Sequence, residues 1–514
     1  MKTYYITTPL YYVNAKPHIG HAYTNILCDT FARYQRFLGH EVFFLTGTDE
    51  HGTKIEKIAR EQGKTPVDFV NEMVPHFKKM WEILDIRYNH FIRTTDAAHK
   101  AAVSAILVNL VKSGDIYQKT YSGWYCTPCE SFWTERQLFE RKCPDCRRDV
   151  QPLDEKNYFF KMGQHQNWLI ETIRSNESFI LPEMRRNEVL GFLREPLEDL
   201  CITRPKARMS WGIPFAPDPG FVVYVWFDAL INYVSAIGYP QNAGNFKRLW
   251  PADLQVVGKD ILRQHAVYWP IMLKAMGLEM PKMIFAHGWW TMGGDKVSKS
   301  RGNIVDPVLL CEKYGVDVFR YFLLHEVTLG NDGAFSESLF RERYTTALAN
   351  DLGNLWFRFA SMLEKYFNGV LPEVDSSALR ALEPVDRSCK LYTKVAIAMN
   401  ENHDPRGALD IIWEVLVRGN QFVEEQKPWV LAKDPARRSE LALAMAALGE
   451  CLAHVACILQ SFVPTAAKAI LQRFGMPAEI IIRMPEEFEV LFLKTGAKIE
   501  KGAILFPKLE EEKE

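Results

Sequence analysis

The sequence lacks an excess of charge of either sign. Its 62 lysines and arginines nearly balance 63 aspartates and glutamates, for a formal net charge of −1. A chain of this balance can bind a polyanion only if its basic residues gather into local patches. The sequence also contains no internal repeat and no low-complexity tract, which argues against repeat architectures and long disordered segments.

Cysteines and targeting signals are scarce as well. Only ten cysteines occur in 514 residues, and six are scattered; this excludes a disulfide scaffold and favours a reducing compartment. Residues 1–20 show no basic start followed by an apolar run, so no secretory signal is predicted. Residues 441–463 are apolar enough to span a membrane, but Glu450, His454 and Gln460 interrupt them. We therefore predict a buried bundle helix in a cytoplasmic protein without membrane segments.

The order of local patterns predicts an α/β fold. A chain of 514 residues is too long to fold around one hydrophobic core, so three or more structural units are expected. Residues 3–8 are rich in β-formers, residues 21–38 carry apolar side chains at helical spacing, and residues 42–46 are a short apolar run. This order predicts a βαβ unit, and hence a parallel sheet with a right-handed crossover.

The later pattern predicts an insertion and then a helical region. Residues 116–219 contain four clustered cysteines and a proline-rich stretch, which indicates an insertion. Strand-like character returns at 221–226, 254–257 and 283–286, so the sheet is expected to resume there. Helices are suggested near 340–366, 376–401, 406–426 and 437–463.

A phosphate-binding segment is predicted between the first strand and its helix. It reads Pro17-His18-Ile19-Gly20-His21 and falls beyond the carboxyl end of a strand, where ligands bind on open α/β sheets. A helix start offers backbone N–H groups and a positive dipole end to phosphate. Gly20 allows an adenosine to approach, and His18 and His21 can donate to phosphate oxygens as charge builds. Alone, the segment is equally well explained as two surface histidines.

A second element, at 293–303, reads GGDKVSKSRGN. Its flanking glycines predict a mobile loop that brings Lys296 and Lys299 to the α-phosphate of ATP as negative charge develops, which would stabilise the transition state more than the ground state. Alone, a basic loop between glycines is more typical of plain surface.

Together, HIGH after the first strand and KVSKS after the last resemble the paired signatures of the class I aminoacyl-tRNA synthetases. Only Val297 departs from the usual KMSKS, and it keeps the position apolar. The leucine, isoleucine and valine enzymes of this class carry a large editing domain in the insertion, and residues 116–219 leave no room for one.

Four further stretches resemble the methionyl-tRNA synthetase family, and the resemblance runs from about residue 3 to about residue 505. They are TTPLYYVN at 7–14, TGTDEHG at 46–52, YVWFDA at 224–229 and GKDI at 258–261. The resemblance implies an α/β class I fold with a Rossmann-like parallel sheet, a zinc-binding insertion and an all-α C-terminal anticodon-binding domain. It also implies that the chain activates methionine with ATP to methionyl-adenylate and transfers it to the 3′ end of tRNA(Met), for translation initiation and elongation.

The family's substrate contacts are carried over by position. The methionine pocket would comprise Leu10, Tyr12, Asp49, Trp226, Ala229, Tyr233, His265 and Trp269. A polarizable thioether favours such aromatic edges, and Asp49 would hold the α-ammonium group, although ordinary core packing remains the alternative for each aromatic residue. ATP, with Mg²⁺, would be bound by His18, Gly20, His21, Asp260 and Lys299. Asp260 would contact the ribose hydroxyls, and Arg204 would lie near the reacting carboxylate and phosphate.

The clustered cysteines form two CxxC knuckles. Cys126 and Cys129 are followed, after thirteen residues, by Cys143 and Cys146. This spacing is a strong signal for one tetrahedral Zn²⁺ per chain with four thiolates. Because four protein ligands leave no open position, the metal is predicted to be structural. Iron, or a redox role, stays open at such a site.

The helical part resembles the family's anticodon-binding bundle. Asn354 and Arg358 stand four residues apart on one predicted helix, and Trp429 follows Pro428. Stacking on a tryptophan beside such donors is one way in which unpaired bases are read. These residue types are common in helices, so only their position in the family pattern selects them.

The predicted domains follow from these assignments. They are 1–115 for the first half of the Rossmann catalytic domain, 116–219 for the connective insertion with its zinc knuckle, 220–290 for the second half, 291–350 for the KVSKS loop and stem-contact linker, 351–490 for the anticodon-binding domain and 491–514 for the tail. Some family members continue into a dimer-forming domain; this chain stops at 514, so a monomer is predicted.

Three other kinds of protein share some of these sequence features. The cysteine enzyme of the same class places its zinc in the amino-acid pocket, which the aromatic lining here argues against. A nucleotidylyltransferase of the HxGH type is usually much shorter and lacks the helical tail. A silent tRNA-binding paralogue is disfavoured by the intact His18, His21, Lys296 and Lys299.

Overall fold

The computed structural model describes residues 2–127, 131–292, 295–296, 305–482 and 491–509, with the backbone alone at 121, 131, 132, 295 and 296. The strands are β1 Thr3–Thr7, β2 Tyr11–Tyr12, β3 Glu41–Asp49, β4 His90–Arg93, β5 Ile116–Cys126, β6 Ser131–Trp133, β7 Gln151–Phe160, β8 Ile180–Leu181, β9 Leu200–Cys201, β10 Thr203–Pro205, β11 Phe221–Val223, β12 Leu254–Gly258, β13 Ile284–His287, β14 Trp290–Met292, β15 Asp295–Lys296 and β16 Gly333–Ala334.

The helices are α1 Ile19–Phe37, α2 Thr53–Glu61, α3 Pro66–Ile83, α4 Ala97–Lys112, α5 Gln166–Ser175, α6 Glu183–Phe192, α7 Val225–Leu230, α8 Asn232–Ser235, α9 Ala243–Leu249, α10 Trp269–Ala275, α11 Pro307–Tyr314, α12 Val316–His325, α13 Glu337–Arg343, α14 Asn354–Phe367, α15 Ser376–Arg380, α16 Glu383–Ala396, α17 Pro405–Gln426, α18 Pro428–Leu431, α19 Arg438–Leu459 and α20 Pro464–Arg473. Three π-helical segments, Gln264–Tyr268, Tyr344–Gly353 and Ile397–Glu401, continue α-helices.

The central sheet is parallel throughout. Its order is β2-β3-β1-β12-β13-β8, with β4 also paired to β3. β12 and β13 are buried at every residue, as expected for strands covered by helices on both faces. The chain leaves β1 through α1 to β3 on one side, and much later adds β12 on the other. The strand order therefore reverses next to β1, which is where an open α/β sheet binds its ligands.

Two segments differ from the sequence prediction. Residues 221–226 were expected to resume the central sheet, but β11 pairs antiparallel with β10, and α7 begins at Val225. β8, which lies within the predicted insertion, instead pairs with β13 at the edge of the central sheet. Local β-propensity identifies a strand but not its partner, which is selected by packing.

The insertion is built on an antiparallel sheet of order β6-β5-β7-β9. β5 and β7 pair continuously from Ile116 opposite Phe160 to Tyr125 opposite Gln151. This long ribbon ends at Cys126, so it carries the cysteine cluster at its tip.

The C-terminal half is helical, as predicted. The four expected helices correspond to α13 through α14, α15 through the π-helical segment 397–401, α17 and α19. Within the described residues, one helix, Pro435–Leu459, is long and apolar enough to cross a membrane, and 94% of its apolar window is buried inside the fold. In this structure it is the central helix of the bundle, and Glu450 and His454 face each other on it at 3.8 Å.

Buried ionic groups join this bundle to the catalytic sheet. Arg320 on α12 is fully buried; it pairs with Asp29 of α1 at 2.7 Å and donates to the carbonyl oxygens of Leu84 and Phe462. Asp317, also on α12, accepts the backbone N–H of Ala466 near the start of α20 at 2.6 Å. These buried contacts hold α1, which opens at the HIGH segment, in a set position against the bundle.

Candidate active site

A cavity of about 470 Å³ lies at the carboxyl edge of β1 and β12, at the point where the strand order reverses. The predicted site residues that line it are Leu10, Tyr12, His18, Gly20, His21, Asp49, Trp226, Ala229, Tyr233, Asp260 and His265. The structure thus gathers residues from five separate stretches of sequence around one space.

Helix α1 opens with a double histidine cap. The Nδ1 atom of His18, the residue before the helix, accepts the N–H of Gly20, and Nδ1 of His21 accepts the N–H of His18, both at 3.1 Å. Because both Nδ1 atoms accept, the proton of each neutral imidazole is assigned to Nε2. The two rings lie 4.0 Å apart between centroids. The segment therefore presents paired Nε2–H donors at the positive end of a helix.

Gly20 leaves room for this cap. A Cβ at this position would lie 3.0 Å from Cε1 of His18, so a larger residue would require the imidazole to shift slightly. The predicted approach of a nucleotide to Gly20 stays a prediction.

Asp260 and Trp289 form one side of the cavity. Nε1 of Trp289 donates to Oδ1 of Asp260 at 3.1 Å. A Cβ at Gly258 would lie 2.6 Å from the same oxygen, so the glycine of the GKDI motif makes room for the carboxylate. Asp260 is exposed at the rim, a place that suits its predicted contact with ribose.

The segment that carries KVSKS begins at the cavity. Trp290 lines it and opens β14, which pairs antiparallel with β15 so that Thr291 lies opposite Lys296. Of Lys296 only the backbone is described, and Lys299 lies outside the described residues. Their predicted contact with ATP stays a prediction.

Asp49 ends β3 and lines the cavity, and its backbone carbonyl accepts the N–H of Val13 at 3.3 Å. The next residue, Glu50, is fully buried and accepts two hydrogen bonds from Arg93, at 2.7 and 2.8 Å. The hydroxyl groups of Thr48 and Thr95 also donate to Glu50. This network fixes the backbone at the end of β3, where Asp49 lies.

Tyr233 and His265 form the inner wall. Nδ1 of His265 donates to the carbonyl oxygen of Ile261 at 2.9 Å, so Nε2 accepts the Tyr233 hydroxyl at 2.7 Å. Burial lowers the pKa of His265 to about 4, so the imidazole is neutral near pH 7. The predicted pocket residue Trp269 is fully buried behind Tyr233, 5.7 Å from it between centroids, and is not among the lining residues.

The lowered pKa of His265 predicts a pH-dependent stability. In the unfolded chain His265 takes up a proton below about pH 6.5, whereas in the folded chain it does so only near pH 4. Through this group, the free energy of unfolding should fall by about 3 kcal/mol between these pH values. Urea unfolding at several pH values should show a shallower dependence in His265→Gln, in which the amide can still accept from Tyr233. Equal slopes in the two proteins would contradict this.

A buried ionic network behind α7 was missed by the sequence analysis. Asp228 is fully buried; its Oδ2 lies 3.0 Å from Nδ1 of His51, and its Oδ1 lies 3.8 Å from Nε2 of His99. Burial alone would raise the pKa of Asp228, but its two histidine partners hold it below the ordinary value. Trp226 and Ala229, on the same helix, line the cavity. The network therefore fixes the wall that they form. Asp228 and His51 stand in the quoted stretches 224–229 and 46–52, but no local pattern indicates that they meet.

Several other lining residues were also missed: Tyr11, Asn232, Gln264, His287, Trp289 and Trp290. A signal existed for His287, which directly follows the predicted strand 283–286 and so had to fall at the ligand edge. Its Nε2 lies 2.8 Å from the hydroxyl of Thr24 on α1. No comparable local signal marks the others.

Arg204 does not line this cavity. It is 2% exposed, its guanidinium lies 4.4 Å from the centre of the Tyr224 ring, and it donates to the carbonyl oxygen of Thr203 at 2.8 Å. It lines a neighbouring cavity of about 350 Å³ between the insertion and the catalytic sheet. Its predicted role beside the reacting groups is therefore not supported by its position in this structure, and stays a prediction.

Three of the four predicted metal ligands converge. The sulfur atoms of Cys126, Cys143 and Cys146 lie within 4.8 Å of one another, and those of Cys126 and Cys146 are 3.5 Å apart. Cys129 lies outside the described residues. The described cysteines are all free of disulfides, and Cys126 and Cys143 are fully buried. Three thiols this close together, two of them fully buried and one half-buried, fit a thiophilic metal ion.

The structure brings Arg358 and Trp429 together in the helical part. The guanidinium lies 5.9 Å from the centre of the indole ring, and Nη2 pairs with Glu424 at 2.6 Å. Trp429 is 38% exposed, which is unusual for so large an apolar side chain. Asn354 begins α14, one turn before Arg358, and is exposed.

Family models and curated relatives match the chain over nearly its whole length. The family model of class I tRNA synthetases (M) matches residues 4–155 and 149–360. The anticodon binding domain of methionyl tRNA ligase matches residues 380–514. A methionine–tRNA ligase from Caldanaerobacter subterraneus subsp. tengcongensis is 45% identical over 514 residues, covering 100% of this chain and 80% of that protein.

Similarity to solved structures supports the same class. The chain matches Mycobacterium tuberculosis methionyl-tRNA synthetase in complex with methionyl-adenylate with a TM-score of 0.91 at 37% identity, covering 99% of this chain and 100% of the other. The apo form of that enzyme matches with a TM-score of 0.84 at 36% identity, covering 99% of each chain. This chain therefore belongs to the methionine–tRNA ligase family of class I tRNA synthetases, and the predicted α/β fold with a helical C-terminal domain is confirmed.

Proposed function

We propose that the chain ligates methionine to tRNA(Met) in two steps, in support of translation. The observation that carries the proposal is the single cavity in which the paired histidine donors, Asp49 and the Tyr233–His265 wall meet. One end offers a helix start for phosphate, and the other offers aromatic edges for a thioether.

In the first step, a carboxylate oxygen of methionine attacks the α-phosphorus of ATP. A C–O–P anhydride bond forms, the bond to the β-phosphate breaks, and pyrophosphate leaves with the bonding electrons. Asp49 holds the α-ammonium group, while His18 and His21 donate to the phosphate oxygens. Mg²⁺ accompanies the ATP. No side chain needs to act as a nucleophile, because positioning and electrostatics can supply the rate.

In the second step, a ribose hydroxyl oxygen of the terminal adenosine attacks the carbonyl carbon of the adenylate. An ester bond forms, the carbonyl C–O bond to AMP breaks, and AMP leaves with the bonding electrons while the hydroxyl proton passes to its phosphate. We propose that Asn354, Arg358 and Trp429 read unpaired anticodon bases in this tRNA, which is supported by the exposed indole beside Arg358.

Amino-acid-dependent exchange between ATP and pyrophosphate tests the first step. Methionine should drive the exchange at least about a hundredfold better than the other standard amino acids, since an apolar pocket separates unlike side chains by at least this much. Exchange driven instead by cysteine or leucine would show that the amino-acid assignment is wrong.

Replacement of Trp429 with Ala tests the tRNA assignment. The KM for tRNA should rise by about tenfold, because stacking contributes roughly 1–3 kcal/mol per base, while pyrophosphate exchange should be nearly intact. Val430→Ala, at the neighbouring exposed residue, is the matched control. Loss of exchange in Trp429→Ala would indicate a core role instead.

We further propose that Cys126, Cys129, Cys143 and Cys146 hold one structural Zn²⁺. When bound, the ion supplies no chemistry to the reaction; it braces the tip of the β5–β7 ribbon. Support comes from the three converging thiols and the CxxC spacing. The cytoplasmic location, the monomeric state and the domain limits stay predictions. β8 lies inside the proposed insertion but pairs with β13 of the central sheet.

A further inference from the structure

Four polar residues behind the active-site cavity are joined by successive contacts. Nδ1 of His51, which follows β3, lies 3.0 Å from Oδ2 of Asp228 on α7. Oδ1 of Asp228 lies 3.8 Å from Nε2 of His99 on α4. Nδ1 of His99 in turn lies 2.8 Å from the hydroxyl oxygen of Ser235 on α8. This four-residue network therefore connects the end of β3 with α4, α7 and α8.

The network lies next to the proposed methionine contacts along the chain. Three of its members stand one or two residues from such a contact: His51 from Asp49, Asp228 from Trp226 and Ala229, and Ser235 from Tyr233. All four members are described, and none of them lines the cavity itself. In the proposed function, Asp49 holds the ammonium group and the aromatic walls receive the thioether. The network therefore supports both ends of the amino-acid site from behind.

The network is buried, so its contacts are held firmly. His51, His99 and Asp228 are 3%, 1% and 0% exposed. Burial would raise the pKa of Asp228, but the two histidines hold it below its ordinary value, so the group is a carboxylate near pH 7. A buried charge that loses a partner is costly, which keeps the histidines beside it. The ring of His51 also meets Trp211 edge-on, 5.5 Å between centroids, and Nε1 of Trp211 donates to the carbonyl oxygen of Glu50.

We propose that this four-residue network sets the distance between the ammonium site and the side-chain pocket, so that His51 and Asp228 are positioning residues that select methionine by its length. The proposal rests on the proposed ligation of methionine. A fixed distance favours an amino acid whose ammonium group and thioether reach both ends at once. A side chain one methylene shorter loses one of the two contacts, and a missing methylene changes kcat/KM by about 10–200-fold. A looser distance would let the shorter side chain reach both ends.

His51→Phe tests the proposal, because phenylalanine keeps a ring against Trp211 and removes the nitrogen that faces Asp228. The measurement is kcat/KM in pyrophosphate exchange for L-methionine, for S-methyl-L-cysteine, which is one methylene shorter, and for L-norleucine, in which a methylene replaces the sulfur. The wild-type preference for methionine over S-methylcysteine should be at least about tenfold and should fall by about fivefold or more in His51→Phe. The preference over norleucine should stay within about twofold of the wild-type value, because norleucine has the length of methionine.

Two further variants separate positioning from stability. His51→Asn can place an amide N–H at the Nδ1 position, so it should restore most of the preference over S-methylcysteine. Glu450→Gln is the matched control, since Glu450 is a buried carboxylate 3.8 Å from Nε2 of the buried His454, but in the helical bundle. It should keep the wild-type preference whatever its effect on the melting temperature.

If His51→Phe does not fold, Ser235→Ala gives the same test from the other end of the network. It should lower the preference over S-methylcysteine by about twofold or more, the effect of one lost hydrogen bond. An unchanged preference over S-methylcysteine in a folded variant, or equal losses of both preferences, would overturn the proposal. Absence of methionine-dependent exchange in the wild-type chain would instead refute the proposed function.

Discussion

Replacement of His21 with Asn should lower methionine-dependent pyrophosphate exchange by about 10²–10³-fold, the usual effect of removing one donor to a developing charge. His21 uses Nδ1 to accept the N–H of His18, so its proton is assigned to Nε2, the donor that we propose for phosphate. The Oδ1 atom of Asn can occupy the Nδ1 position and keep the helix cap. The variant therefore removes the donor without removing the cap.

His21→Gln is the matched variant, since its amide N–H can reach the Nε2 position. It should recover at least a tenth of the exchange rate, and methionine affinity should change little in either protein. If His21→Asn instead unfolds at a lower temperature than His21→Gln by several degrees, with similar exchange rates, then the histidine acts mainly through the cap.

Replacement of Cys146 with Ser should abolish stoichiometric metal binding. Structural zinc contributes about 10–16 kcal/mol to the folding of isolated zinc-finger peptides, so loss of one thiolate should also loosen the tip of the β5–β7 ribbon. Elemental analysis should find one zinc ion per wild-type chain and less than about a tenth of that in the variant. Hydrogen exchange at 126–149 should become fast, while α1 and β12 keep their protection.

Cys389→Ser is the control for this experiment, because Cys389 is a half-buried cysteine of the helical part, far along the chain from the cluster. It should keep its zinc. Full zinc content in Cys146→Ser would contradict the site, and iron in the wild-type chain would show that the metal was wrongly identified.

Much of the fold was predictable because it is encoded locally. The apolar spacing of residues 21–38 predicted α1, observed at Ile19–Phe37. The run at 42–46 predicted β3, and the apolar stretch 441–463 was correctly assigned to a buried helix. In contrast, residues 221–226 and β8 were placed wrongly or not at all, since a short strand takes its partner from distant packing.

In the candidate site, too, the features encoded locally were predictable and those that depend on distant contacts were not. The sequence by itself determined the histidine pair at a helix start and the cysteine spacing, because each depends on residues close together in the chain. It also determined the family, because each of the motifs that identify it is a short continuous stretch. Only the tertiary structure decided that Trp269 lies behind Tyr233, that Arg204 lines the neighbouring cavity and that Asp228 lies between His51 and His99. These positions depend on contacts between residues far apart in sequence, whose partners are selected by packing and burial of the whole fold.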